Sequence, residues 1–138
     1  MNEHGMVRAI HNHLKHPDID IWKINDQYHG GVPDAVYFSA IETIWVEYKW
    51  IRSLPKRDTT LVNLCSAGSY LSSNQQAWLL RKHKMNNRVM VVVGCDEGIG
   101  VFQDTAWTNP KTRDAFLNGQ KPKDFALFLQ NILLGGNP

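Results

Sequence analysis

The apolar positions of the chain fall into blocks of two different periods. Glu3, Val7, Ile10 and Leu14 stand at i, i+4, i+7 and i+11, one stripe of a helix over residues 3–15. Pro17-Asp18 breaks that periodicity. Residues 19–24 alternate apolar and polar side chains and predict a strand, and His29-Gly30-Gly31 is a turn signal. Residues 35–38 and 43–51 are rich in β-branched and aromatic side chains and predict two strands, joined as a hairpin through residues 39–42. A long polar connection, 52–70, follows, with Pro55, Gly68 and several Ser and Thr. Connections of that length without structure are uncommon and usually functional or mobile, and Leu61, Val62 and Leu64 predict that part of this one packs.

Ser72 opens a helix reaching about Met85, and Gln75 completes a Ser-x-x-Gln capping pattern. Residues 89–94 are a continuous apolar run suited to a strand buried on both faces. Asp96-Glu97-Gly98 turns into a short strand at 99–102. Two helices are predicted to close the chain, one opened by Asn109-Pro110 and stopped near Gly119, the other over 122–134. The order α-β-β-β-α-β-β-α-α predicts an α/β fold, a mixed sheet flanked by helices, in one domain over residues 1–138.

With 138 residues, 43% of them hydrophobic, the chain can bury one core, which excludes wholesale disorder. No apolar run approaches the roughly 20 residues needed to cross a bilayer. Residues 1–16 hold His, Glu and Arg and no signal-peptide hydrophobic region, so a soluble intracellular protein is expected. Cys65 and Cys95 are too few and too far apart for a disulfide scaffold or a zinc finger. The net charge of +2 hides an asymmetry. Residues 49–88 carry eight Lys and Arg against one acid, Asp58, a local charge of +7, and the rest of the chain carries −5. A basic middle in an acidic protein is either a solvated face with a charged loop or the footprint of a polyanion partner.

The candidate chemistry sits on the central hairpin. Asp34 opens the second strand, and Glu47 and Lys49, two apart on the third, share one face, with Val46, Tyr48 and Trp50 on the other. The short connection brings Asp34 beside Glu47. Carboxylates so placed repel unless a cation joins them, and hard oxygen ligands suit Mg²⁺ or Mn²⁺. Beside phosphate such an ion neutralises charge and lowers the pKa of water, with Lys49 placed to orient the water or offset charge. The alternative is a surface hairpin carrying a weak same-face ion pair. Glu3 adds a carboxylate to the first helix's apolar stripe, toward the core or a site, or simply as a complement to the helix dipole. Gln75 shares an apolar face with Trp78 and Leu79, so a capping role and a site role are both open.

These segments resemble a known family. Gly31-Val32-Pro33-Asp34, Trp45-Val46-Glu47-Tyr48-Lys49 and Leu71-Ser72-Ser73-Asn74-Gln75-Gln76-Ala77-Trp78 are similar to the PD-(D/E)xK nuclease superfamily, and most to its virus-type replication-repair nuclease (VRR-NUC) branch. That branch has an acid in the first helix, a Gly-x-Pro-Asp turn, a Glu-x-Lys strand and a helix beginning Leu-Ser-x-x-Gln-x-x-Trp, all present here in order from Glu3 to Trp78. The resemblance implies a restriction-endonuclease-like fold and a Mg²⁺- or Mn²⁺-dependent DNA endonuclease preferring branched or four-way-junction DNA. It implies that Asp34, Glu47 and the backbone carbonyl of Tyr48 hold the metal, that Lys49 serves the nucleophilic water, and that Glu3 and Gln75 complete the site. Arg52, Lys56, Arg57, Arg81 and Lys82 become the expected DNA contacts, and the cytoplasm of a bacterial or phage-infected cell the expected setting. The basic insertion after Lys49 departs from the pattern, and the helices after Gln103 have no assigned counterpart.

Other readings are weaker. His4, His11, His13 and His16 crowd the start of the chain without zinc-like spacing and are expected at the surface. A module of this fold that binds nucleic acid without cutting is the alternative, but pure binding has no use for three acids facing a polyanion. The last helix places Phe125, Phe128, Leu129, Ile132 and Leu133 on one core stripe, while Ala126, Leu127 and Leu134 add apolar surface outside it. That excess suits either a helix buried on both sides or a two-fold homodimer.

Overall fold

The computed structural model describes residues 1–24, 30–66 and 70–136. Five strands form one mixed sheet in sequential order: β1 (Asp20–Lys23), β2 (Ala35–Phe38), β3 (Thr43–Trp50), β4 (Arg88–Cys95) and β5 (Gly98–Gln103). β1–β2, β2–β3 and β4–β5 pair antiparallel, while β3 and β4 run parallel, with Glu47 opposite Val91 and Lys49 opposite Val93. A parallel pair needs a crossover. The chain supplies it with the 51–72 connection and α2 (Ser73–Lys84). The fold is α/β, as the element order predicts, and restriction-endonuclease-like, as the family resemblance implies.

The sheet has two core layers. On one face α1 (Glu3–His13) and α3 (Pro122–Leu133) cover Ala35, Tyr37, Ile44, Val46, Tyr48, Met90 and Val92. On the other, α2 contributes Leu79, and the 51–71 connection contributes Ile51, Val62, Leu64 and Leu71 against Val89, Val91 and Val93. β4 is therefore buried on both faces, which explains its unbroken apolar run. Gly94 lies where a side chain would collide with Met6 and Trp50, so its missing Cβ lets the start of α1 approach the sheet closely. Gly31, at φ +88°, lies against the Asn74 backbone and seats the Gly30-Gly31 turn on the first turn of α2.

The structure departs from the predicted elements in three places. No α-helix forms over 109–119; one short 3-10 turn, Arg113–Phe116, stands there instead, and another, Ala106–Thr108, just precedes it. The backbone N–H and C=O of Lys111 both pair with Val62, at 2.8 and 2.7 Å, which removes them from any helix, and Trp107 and Phe116 anchor the segment in the second core layer. The buried positions of α1 are Met6 and Ile10, followed by Leu14 just beyond the helix, so the stripe is rotated toward Met6, with Val7 half-buried and Glu3 on its flank. Ala126 belongs to the core rather than to a spare face, whereas Leu127 and Leu134 are exposed. His29 lies outside the described residues.

Candidate active site

Strand alternation sends Glu47 and Lys49 to the α2 face and Tyr48 to the α1/α3 face, as predicted. Glu47 is 1% exposed, deep for a carboxylate. Its Oε2 lies 3.1 Å from Lys49 Nζ and accepts a 2.8 Å hydrogen bond from Gln75 Nε2. Gln75 reaches it because Ser72 caps α2: Ser72 Oγ accepts the Gln75 N–H at 3.1 Å, and Gln75 Oε1 accepts the Ser72 N–H at 3.0 Å. One side chain therefore both caps α2 and hydrogen-bonds Glu47.

Asp34 precedes β2, and its Oδ2 accepts the backbone N–H of Tyr48 at 2.8 Å. It stands against Glu47, close enough that a proton shared by the two carboxylates would form a hydrogen bond. Burial, then the charge of Asp34, pushes the Glu47 carboxyl up to about 8, although Lys49 opposes the shift. Glu3 is half-buried on the first turn of α1. Burial, then Asp34, raises its carboxyl, and Lys49 draws it down, so Glu3 feels both side chains. Glu3 and Asp34 line one cavity of about 310 Å³ with His4, Val7, Lys23 and Ile24.

Glu47 Oε1 is the informative atom. It is buried and has no hydrogen-bond partner among the described residues, while a second carboxylate stands beside it. A buried acceptor left unpaired in this way is costly, and a hard divalent cation shared with Asp34 would satisfy both oxygens. Among the described residues no three His, Cys, Asp or Glu side chains cluster tightly enough to hold a metal. The expected ligand set asks for only two carboxylates, with the Tyr48 carbonyl as third donor. The residues fit the ion.

The expected DNA contacts fall into two groups. Arg52, Lys56 and Arg57 are exposed on the 51–66 connection, whose apolar residues pack in the same layer as α2. Arg113 ties that connection down, donating to the carbonyl of Lys56 at 2.9 Å and pairing with Asp58 at 2.6 Å. Arg81 lines an open groove of about 210 Å³ with Gly30, Asn74, Ala77 and Trp78. Lys82 Nζ sits 5.4 Å over the Trp78 ring.

Two features of the site are not legible in the sequence. Lys23 reaches the Glu3–Asp34 cavity because it pairs with Ala35 across β1–β2, a register visible only once the strands are paired. His11 is not a plain surface histidine: its Nε2 lies 2.8 Å from the Tyr37 hydroxyl.

No protein-family model matches the chain. No curated protein matches it either. Among solved structures it is similar to Hjc of Archaeoglobus fulgidus, described as a Holliday junction resolvase from an archaeal hyperthermophile. The TM-score is 0.53 and the identity 11%, over 90% of this chain and 96% of that one. The likeness shows the fold.

Proposed function

We propose that the chain is a divalent-metal-dependent endonuclease that hydrolyses phosphodiester bonds of branched DNA, four-way junctions foremost. The observation that carries this reading is the unpartnered, buried Oε1 of Glu47, on a carboxylate that stands beside Asp34 and holds Lys49 on its other oxygen. Acids gathered toward a basic surface serve catalysis on a polyanion and would only weaken its binding. The fold shared with a Holliday junction resolvase supports the junction as substrate, and the ordered motifs from Glu3 to Trp78 support the VRR-NUC branch.

Asp34, Glu47 and the Tyr48 carbonyl would hold Mg²⁺ or Mn²⁺, the ions that hard oxygen donors favour. When bound, such an ion supplies Lewis acidity toward the phosphate and a lowered pKa for water. Gln75 fixes Glu47 through Oε2, leaving Oε1 free for the ion. Lys49, 18% exposed, reaches outward from Glu47 to orient the attacking water and to offset charge on the phosphoryl oxygens. Glu3 closes the α1 side of the cavity. Arg52, Lys56, Arg57, Arg81 and Lys82 position the DNA through its phosphates. A homodimer, covering Leu127 and Leu134, would pair two sites for symmetric cuts, and the setting is the cytoplasm of a bacterial or phage-infected cell.

The test is incubation of the purified chain with single-stranded, duplex, flapped and four-way-junction DNA, with and without Mg²⁺ or Mn²⁺. Metal-dependent cleavage, fastest on the junction, is expected. Intact DNA of all four kinds with both metals would contradict the reading.

A further inference from the structure

Behind the strand that carries Glu47 and Lys49 lies a chain of three polar side chains to which the proposed reaction gives no part. Tyr37 on β2 and Tyr48 on β3 project onto the α1/α3 face, both fully buried, with their hydroxyl oxygens 2.5 Å apart. The Tyr37 hydroxyl also lies 2.8 Å from Nε2 of His11, near the end of α1, and the His11 ring meets Tyr37 edge-on at 5.6 Å. Each of the three belongs to an element that places an acid of the site: α1 carries Glu3, β2 follows directly on Asp34, and β3 carries Glu47. Tyr48 stands between Glu47 and Lys49, and its backbone N–H holds Asp34.

The chain has one direction in which every buried hydrogen is used. With His11 neutral and Nε2 unprotonated, Tyr37 donates to His11 and Tyr48 donates to Tyr37. In the reverse direction Nε2–H donates to Tyr37 and Tyr37 to Tyr48. The Tyr48 hydroxyl hydrogen then has no acceptor among the described residues, in a fully buried position where that is costly. Burial and the charge of Lys23 on β1 both favour the neutral imidazole. A phenol's ordinary pKa of about 10 leaves each tyrosine its hydrogen.

We propose that His11, Tyr37 and Tyr48 are positioning residues: a one-way hydrogen-bond chain ending on the His11 imidazole that fixes the Tyr48 segment of β3 against β2 and α1. Through the Tyr48 N–H it holds the Asp34 carboxylate where it can share a cation with Glu47. This role rests on the nuclease reading. The direction makes the hydroxyls unequal. Tyr37→Phe strands the Tyr48 hydrogen and leaves His11 without its donor, whereas Tyr48→Phe removes only the terminal donor. The double variant has nothing stranded at Tyr48. If the two rings mattered only as packing, the single variants would act alike and add.

The experiment measures Mn²⁺ affinity by titration calorimetry on the full chain, with thermal unfolding and junction cleavage alongside. Tyr37→Phe is expected to weaken Mn²⁺ binding about tenfold, the low end for partners that orient metal ligands. Tyr48→Phe, which cuts the chain from β3 but strands no hydrogen, weakens it by a smaller factor, and the double variant lies nearer Tyr48→Phe than Tyr37→Phe. At half-buried His11, where substitution spares the core, His11→Gln keeps an acceptor and the affinity, while His11→Leu loses it. Equal effects of the two tyrosine variants, equal effects of the two His11 variants, or unchanged Mn²⁺ affinity in Tyr37→Phe would overturn the positioning role and leave the nuclease reading standing. A parent chain that binds no Mn²⁺ would overturn both.

Discussion

Gln75 and Glu47 are joined by a 2.8 Å hydrogen bond that links the first turn of α2 to the middle of β3. The other end of the same amide accepts the Ser72 N–H, so the register of the helix and the orientation of a buried carboxylate are set together. Gln75→Ala should lower both the melting temperature and the cleavage rate, with a stability loss of about 1–2 kcal/mol from the cap and the lost partner. Ser72→Ala removes only the contact between its hydroxyl and the Gln75 N–H. It should lower the melting temperature by a similar step and leave the rate per folded molecule near the parent's. Thermal unfolding and single-turnover cleavage on both variants check this.

The pH dependence of stability isolates Glu47. Its folded carboxyl sits at about 8 against an ordinary 4.5, so between those values the folded chain keeps a proton that the unfolded chain has lost. Stability therefore declines as pH rises from about 4.5 through about 8 and levels off above. Glu3 contributes in the same direction. His11, lowered by burial and Lys23, contributes in the opposite direction, but equally in parent and variant. In chelator, Glu47→Gln should have a shallower decline of melting temperature with pH than the parent, and parallel curves would contradict the assignment.

Much of this site was legible in the chain because its parts are local. The alternation in β3 puts Glu47 and Lys49 on one face, and Ser72 with Gln75 marks the start of α2, each readable within four residues. What depends on pairing was not legible. Lys23 joins the site through strand register, and His11 leaves the surface because Tyr37, in a distant strand, offers it a hydroxyl. The missing helix at 109–119 has the same cause. Asn109-Pro110 is a fair local start signal, but Val62 pairs with Lys111 and the core claims Trp107 and Phe116, a tertiary demand that local propensity does not contain.

The basic connection and the site should separate in salt titrations. Replacing Arg52, Lys56 and Arg57 with Ala removes three exposed cations while leaving Arg113 to anchor the loop. The slope of log affinity against log salt should flatten by about 2–3, near 0.9 per lost phosphate contact. Cleavage at saturating DNA should fall far less. An unchanged slope would place this loop away from the DNA.

Leu127 and Leu134 are 57% and 40% exposed, one heptad apart on α3 and its cap, and Ile41, 67% exposed, lies beside Gly135. If this face closes a two-fold dimer, light scattering at micromolar concentration gives twice 15.8 kDa for the parent and 15.8 kDa for Leu127→Glu with Leu134→Glu. The double variant should keep its fold and nick junctions singly. A parent mass of 15.8 kDa without a dimer fraction would remove the dimer from the account.

Lys49 separates catalysis from binding, because its ammonium lies 3.1 Å from Glu47 yet is one charge within a region of +7. The decisive measurement is cleavage of a four-way junction in Mg²⁺ or Mn²⁺ by the parent and by Lys49→Ala, with junction affinity measured in parallel. Metal-dependent cleavage by the parent, none by Lys49→Ala, and nearly equal affinities are expected. Cleavage by Lys49→Ala at the parent rate would contradict the assignment of the site.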